Sequence, residues 1–276
     1  SQRSLTQTNR KGSKMLNRRN FLAGLGPLAV APAALAANRS EADADDRQYL
    51  EWIRYTLPGR RDKRVEKYYE DAAIPALNRL GINDIGVFSV MYGPNDPSLY
   101  VLIPHDSIDS VLTGQHRLME DTVYTEAAHE YLHSSISDPA FTRIERGLMR
   151  AFAGMPRVEP PKSMLGDERL FELRIYESHN SVKAQKKIDM FNDAGEIQIF
   201  RDTGLTPVFF GETLFGQLMP NLTYMLVFKD MAERDKHWAQ FRVSDEWAAI
   251  KDLEEYRDTV SNITDIILRP TGCSQI

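Results

Sequence analysis

The sharpest chemical string in this sequence is His129-Glu130-Tyr131-Leu132-His133. On a helix, H-E-x-x-H sets two imidazoles one turn apart on one face with a carboxylate beside them, the arrangement of zinc peptidases. A third ligand must come from nearby, and Glu145 is the close candidate. The order of elements around the string is not that of a peptidase. It therefore reads first as a partly exposed helical segment and only then as a zinc site on His129 and His133. The second set of residues is built on carboxylates. Glu212 stands in the apolar run Phe209-Phe210-Gly211-Glu212, where a charge is costly unless paired or hydrogen-bonded. Desolvation there would raise its pKa toward that of a general acid or base, with Glu177 as the second catalytic carboxylate. Tyr176, His179, Glu196, Tyr224, Asn262 and Arg174 are expected to hold a ligand beside them. The competing reading is structural: Glu212 pairs with Arg174 or Lys187, and Glu177 caps a strand end. His179 and His237 are the candidate axial ligands for a haem, and one cysteine, Cys273, excludes a C-x-x-C-H attachment. There is no Gly-rich phosphate loop, G-x-S-x-G elbow or Asp-rich metal loop, so the cofactor stays unknown.

These residues must be positioned by elements that occur twice. Residues 48–57 form a strand, roughly Asp62–Leu80 a helix ended by Gly81, and 85–93 and 98–104 a strand–turn–strand. A helical region over about Ile108–Ser134 and a strand near Gly147–Phe152 complete the first set. The order then recurs: strand 170–178, helix 181–204, hairpin 206–216 and 221–230, helix from Met231 to about Gln240, and strand 261–270. Ser244 reads as the N-cap of a further helix. Glu51 and Tyr55 on the first strand recur as Glu172 and Tyr176, 121 residues on. The reading is α+β: two tandem ferredoxin-like βαββαβ repeats, at 47–157 and 168–276, joined by a proline-containing linker at 158–167.

A sheet of this kind has helices on one face and leaves the other bare. Here the strands are apolar on both faces, as in Leu222, Tyr224, Leu226 and Phe228 against Met225 and Val227. Both faces must be covered. The economical solution packs the two bare sheets together as one α/β barrel within one chain, with a ligand in the space enclosed.

The 276 residues carry 34 basic and 39 acidic side chains, with no acid before Glu41. Six of the basic residues lie in 1–36, which leaves 28 basic against 39 acidic in the rest. An acidic body excludes nucleic acid as the main partner. Residues 1–37 read as a leader. Asn17-Arg18-Arg19-Asn20-Phe21-Leu22 resembles a twin-arginine signal, the run Phe21–Leu35 is interrupted by Gly and Pro, and Ala34-Leu35-Ala36 suits a signal peptidase. Met15 is the expected natural start, with residues 1–14 an extension ahead of it. The address is thus periplasmic or extracytoplasmic by the twin-arginine route, with no stable membrane insertion once the signal is removed.

The second copy resembles the NIPSNAP family of dimeric α/β-barrel domains. The resemblance is carried by Phe171–Glu177, Pro207–Glu212, Asn221–Leu226, Trp238, Phe241, Trp247 and Ile267–Pro270, strongly over 168–276 and more weakly over 47–157. It implies the fold more firmly than any reaction, because relatives in the wider superfamily include haem-binding proteins, haem-degrading enzymes and cofactor-free monooxygenases. The expectation is an exported barrel protein that binds a small organic ligand and self-associates through sheet faces or edges. The alternative is an oxidoreductase or monooxygenase-like enzyme using barrel-lining carboxylates, and the third reading a zinc hydrolase.

Overall fold

The computed structural model describes residues 45–164 and 168–276. The leader and its twin-arginine motif lie outside them. Eight strands alternate with helices in the expected order: β1 (Tyr49–Thr56), β2 (Gly86–Tyr92), β3 (Ser98–His105) and β4 (Arg143–Ala151), then β5 (Leu170–Glu177), β6 (Thr206–Phe215), β7 (Asn221–Phe228) and β8 (Asn262–Pro270). Each repeat makes a four-stranded antiparallel sheet, ordered β4-β1-β3-β2 in the first and β8-β5-β7-β6 in the second. The sheets do more than face each other. β2 pairs with β8 and β4 with β6, so the eight strands close into one barrel. Each described strand has a neighbour on both sides, although residues 143–147 of β4 and 262–266 of β8 are paired on one side only.

Closure sorts the apolar residues into three cores. One lies inside the barrel, built from both repeats by side chains such as Leu50, Phe88, Leu102, Met149, Phe171, Leu173, Met225 and Leu268. The other two lie between each sheet and its own helices. Each large apolar side chain so buried contributes roughly 1.5–3 kcal/mol before ordering costs. The β4–β6 joint needs a close approach: Gly211 pairs with Ala151, and a Cβ at Gly211 would stand 2.9 Å from the Met149 Cβ.

The helices differ from expectation where caps and breakers intervene. The segment 181–204 is two helices, α6 (Ser181–Asn192) and α7 (Glu196–Asp202), because Gly195 between them takes a left-handed φ of 83°. The first long helix is α1 (Arg64–Tyr68) continued through a π turn into α2 (Ile74–Arg79). The region after β3 splits into α3 (Ile108–Glu120), α4 (Thr122–Ala127) and α5 (His129–Leu132), with the Asp121 carboxylate accepting from the Val123 and Tyr124 amides at the break. After β7 come α8 (Met231–Val243) and α9 (Asp245–Ile250), and Ser244 caps α9 as expected, its Oγ accepting from the Trp247 amide at 3.3 Å. No described helix is long and apolar enough to cross a membrane.

The two ends of the barrel are unlike. At one end the start of the linker is held against the barrel, with Val158 N–H donating to Gln48 Oε1 at 2.9 Å and Glu159 N–H to the Val208 carbonyl at 2.9 Å. The last residues pack at this end too, with Gln275 N–H donating to the Ile85 carbonyl at 2.8 Å and Ile276 fully buried. At the other end lie the β2–β3 and β6–β7 turns.

Candidate functional site in the barrel mouth

Side chains alternate along a strand, so β1 sends Leu50, Trp52 and Arg54 into the barrel and Ile53 and Tyr55 toward the helices. β4 contributes Met149, Gly147 and Glu145 to the same interior. Together with residues of β3 and the second repeat they line a chamber of about 240 Å³ that opens at the turn end. Its floor is aromatic: Trp52 stacks on Tyr100 at 5.4 Å between centroids and meets Phe209 at 6.2 Å. Gly147 lies directly across from Trp52 in the β1–β4 ladder and spares the space a side chain would take.

Above the floor sits an ion pair. Arg54 and Glu145 are register partners, and Arg54 Nε donates to Glu145 Oε2 at 2.6 Å, with a second contact from the guanidinium. Burial pushes the Glu145 carboxyl up, but hydrogen bonds from Arg54 and Gln217 outweigh it and hold the pKa below the usual value. Glu145 is therefore an ionised partner rather than a poised acid. Burial raises the Tyr100 phenol, whose oxygen accepts from Asn95 Nδ2 at 3.3 Å. Asn221 organises the opposite wall: its Oδ1 accepts from Thr213 Oγ1 at 2.6 Å and its Nδ2 donates to the carbonyls of Gln217 at 2.9 Å and Leu218 at 3.1 Å. Ile175, Thr223, Thr264, Ile266, Pro94, Gly216 and Arg146 complete the lining, with Arg146 paired to Glu51 at 3.4 Å.

Most residues singled out from sequence lie elsewhere. Arg174, Tyr176, Tyr224 and Glu196 were expected to face the barrel interior; they sit in the layer between the second sheet and its helices. The cause is strand phase. Phe171, Leu173 and Ile175 take the inner face of β5, so Glu172, Arg174 and Tyr176 take the outer. There Tyr224 Oη donates to Tyr176 Oη at 2.8 Å, and Lys187 pairs with Glu196 at 2.6 Å. Arg174 meets Glu172 at 3.1 Å and lies over Trp238 at 4.6 Å. Arg174 and Lys187 are thus engaged with carboxylates other than Glu212, which is half-buried across the β4–β6 joint from Arg150. Glu177 and Asn262 are brought together, Asn262 Nδ2 donating to Glu177 Oε1 at 2.6 Å, but neither lines the chamber. His179 is exposed beyond the end of β5.

The imidazoles of His129 and His133 are exposed and stacked at 4.3 Å, with His133 Nδ1 at 3.0 Å from the His129 carbonyl oxygen. Glu145, the expected third ligand, is inside the barrel on Arg54. Among the described residues no group of three or more His, Cys, Asp or Glu is placed to hold a metal ion. Neither His179 nor His237 lines the chamber, so the chamber offers no imidazole to a haem.

Trp52, Arg54, Tyr100, Asn95 and Met149 were not singled out from sequence, and Glu145 was noted only as a zinc ligand. A usable signal was present: Leu50-x-Trp52-x-Arg54 places a ring and a charge on one face of a strand.

Comparison with known proteins agrees with the fold. The NIPSNAP family signature matches residues 50–144 and again 171–275. A proposed monooxygenase from Lactobacillus acidophilus superposes with a TM-score of 0.55 at 10% identity, covering 83% of this chain and 97% of that one. One from Fusobacterium nucleatum gives 0.51 at 9% identity, covering 81% and 92%. A NIPSNAP family protein of unknown function from Agrobacterium tumefaciens covers 38% of this chain and 91% of its own at 17% identity, with a TM-score of 0.34. No curated protein matches. With the family signature met in both halves of the barrel, this chain belongs to the NIPSNAP family.

Proposed function

We propose that the protein is a binding module whose barrel mouth holds a small organic ligand. The observation that carries this is the chamber itself: an aromatic floor, hydrogen-bonding walls, the Arg54–Glu145 ion pair, and Arg146 held by Glu51. Such a lining suits a mostly apolar molecule fixed by a few polar contacts. The test is native mass spectrometry of protein purified from its own host. Wild type should carry a bound small molecule, and Thr264→Trp, which fills the chamber, should lose it. No bound mass, or the same mass in both, would defeat the reading.

A monooxygenase-like activity is the second reading. Beyond the shared fold, one observation favours it: Arg54 could hold an oxyanion of a bound substrate if Glu145 turned aside. The paired state of Glu145 and the absence of Glu177 and Glu212 from the chamber place it second. Oxygen uptake that requires both the co-purified ligand and Arg54 would reverse the order.

We also propose that the leader directs export by the twin-arginine route, on the strength of Arg18-Arg19 and the low hydrophobicity of the run behind them. Fractionation of cells making the R18K/R19K variant should leave the protein inside; unchanged export would count against that route.

A further inference from the structure

The chamber opens through an apolar crown. Tyr92 ends β2, Phe215 ends β6, and Leu218 and Met219 form the tip of the β6–β7 turn; all are exposed, Phe215 by 71% and Met219 by 48%. Leu218 belongs to both rim and chamber wall. Soluble proteins rarely gather large apolar side chains this way unless something covers them.

The charge pattern says what kind of partner fits. From Thr213 to Phe228 no residue is charged. In the facing β2–β3 turn, Asp96 is neutralised by Arg60. Between the apolar tips lie the neutral amides Asn95, Gln217 and Asn221, and the charges that reach the chamber are paired, Arg54 with Glu145 and Arg146 with Glu51 at 3.4 Å, with Arg143 near Glu145. With its charges mostly paired, this surface carries no block of one sign for an anionic or cationic polymer. It complements the interface of a zwitterionic phospholipid bilayer, where apolar tips enter the acyl boundary and amides meet headgroups. A second copy docked mouth to mouth would also cover the crown, but it would seal the chamber.

We propose that the mouth docks on a zwitterionic phospholipid bilayer and that the chamber takes its apolar ligand directly from the lipid phase. The cargo half of this rests on the binding function proposed above; the docking half does not. The walls beyond the crown are suited to such a transfer, since an apolar molecule would pass from lipid to Ile175, Ile266 and Trp52 without crossing water.

The test is flotation of the full chain with phosphatidylcholine vesicles. Wild type should bind, and F215S/M219S, which alters the crown but no chamber residue, should bind at least tenfold less. L112S/V123S, which alters the exposed apolar side chains of α3 and α4, should bind like wild type. Insertion of the crown itself is read by F215W: brominated phosphatidylcholine should quench its fluorescence beyond the quenching of wild type. The docking proposal is overturned if wild type fails to bind neutral vesicles or needs anionic lipid. It is also overturned if F215S/M219S floats equally well, as it would were the leader responsible, or if F215W shows no added quenching. Dimers that F215S/M219S converts to monomers, without vesicle binding, would give the crown to a second copy. Native mass spectrometry of F215S/M219S separates the two readings. A retained small molecule with lost flotation supports docking and chamber alike, whereas flotation by a wild type that carries no small molecule removes the cargo and leaves the docking.

Discussion

The two repeats share one backbone plan and put it to different use. Across the barrel mouth, the first repeat sets Tyr100, Arg54 and Glu145 side by side on β3, β1 and β4. The same places in the second are Thr223, Ile175 and Thr264 on β7, β5 and β8. On the outer face the contrast reverses. Glu172 is fully buried and accepts from Trp238 Nε1 at 2.6 Å, Arg234 at 2.5 Å and Arg174 at 3.1 Å. Its counterpart Glu51 has only longer contacts, to Arg146 at 3.4 Å and His105 at 3.6 Å. The first outer layer relies instead on buried tyrosines, with Tyr55 and Tyr69 hydroxyls 3.0 Å apart and Tyr68 and Tyr124 2.9 Å apart. The first copy supplies the chamber's charges and stacked rings, and the second spends its charges on holding its helices to the sheet.

Substitutions can break or sharpen that contrast. The largest effect should come from Glu172→Ala, which strands two arginines and an indole N–H; a loss of about 3–5 kcal/mol is expected. The matched Glu51→Ala should cost about 1 kcal/mol or less, and urea denaturation of the pair measures the difference. Equal losses would mean that the outer layers are equivalent after all. Next, Arg54→Ile alone leaves Glu145 uncompensated and should cost about 3 kcal/mol. The double variant R54I/E145T, which copies the second repeat into the first, should return to within about 1 kcal/mol of wild type while losing the bound small molecule.

Acidity should act in opposite senses on the two sides. Burial, then the neighbouring Glu172 charge, raises Asp265 to about 6, despite Arg174 and Arg234. Its folded pKa exceeds the unfolded value near 3.9, so the folded form takes up the proton first. Stability tied to this group is therefore fully present at low pH and is lost as pH rises through about 6. Glu145 is the reverse case: its folded pKa is lowered, so its contribution is present above the ordinary glutamate range and lost as pH falls. Stability curves for wild type and Asp265→Asn should converge toward acid and separate toward neutrality, with the variant relatively more stable near pH 7. A constant gap would remove the linkage. The smallest effect is expected from Tyr68→Phe, which deletes one hydroxyl of a buried pair, at about 1 kcal/mol by thermal denaturation.

The elements were legible because their signals are local. Both hairpins have a Gly–three residues–Pro turn, Gly93 to Pro97 and Gly216 to Pro220, with Gly93 at φ 134° and Gly216 at φ 158°. The caps at Ser107, Asp230 and Ser244 are of the expected residue types. What could not be read was strand phase. In β5 both faces carry large side chains, so alternation identifies a strand without saying which face the barrel encloses, and Tyr176 was placed on the wrong side. β4 was seen only in its last half, because Arg143, Glu145, Arg146 and Arg150 break its apolar pattern. Of those charges, Glu145 and Arg146 reach the chamber, and Arg150 pairs with Asp45 outside it. A charge inside a barrel is invisible until the opposing strand, here β1 with Arg54, is known to lie beside it.

Closure of the ring within a single polypeptide has its own consequence. A barrel assembled from two identical chains must display every residue twice, so a cationic group that helps on one side is duplicated on the other whether useful or not. Here Arg54 and Ile175 come from different codons, and a single mutation edits one wall only. The joined halves also cannot be diluted apart, so the midpoint of unfolding should not move with protein concentration on account of the barrel itself.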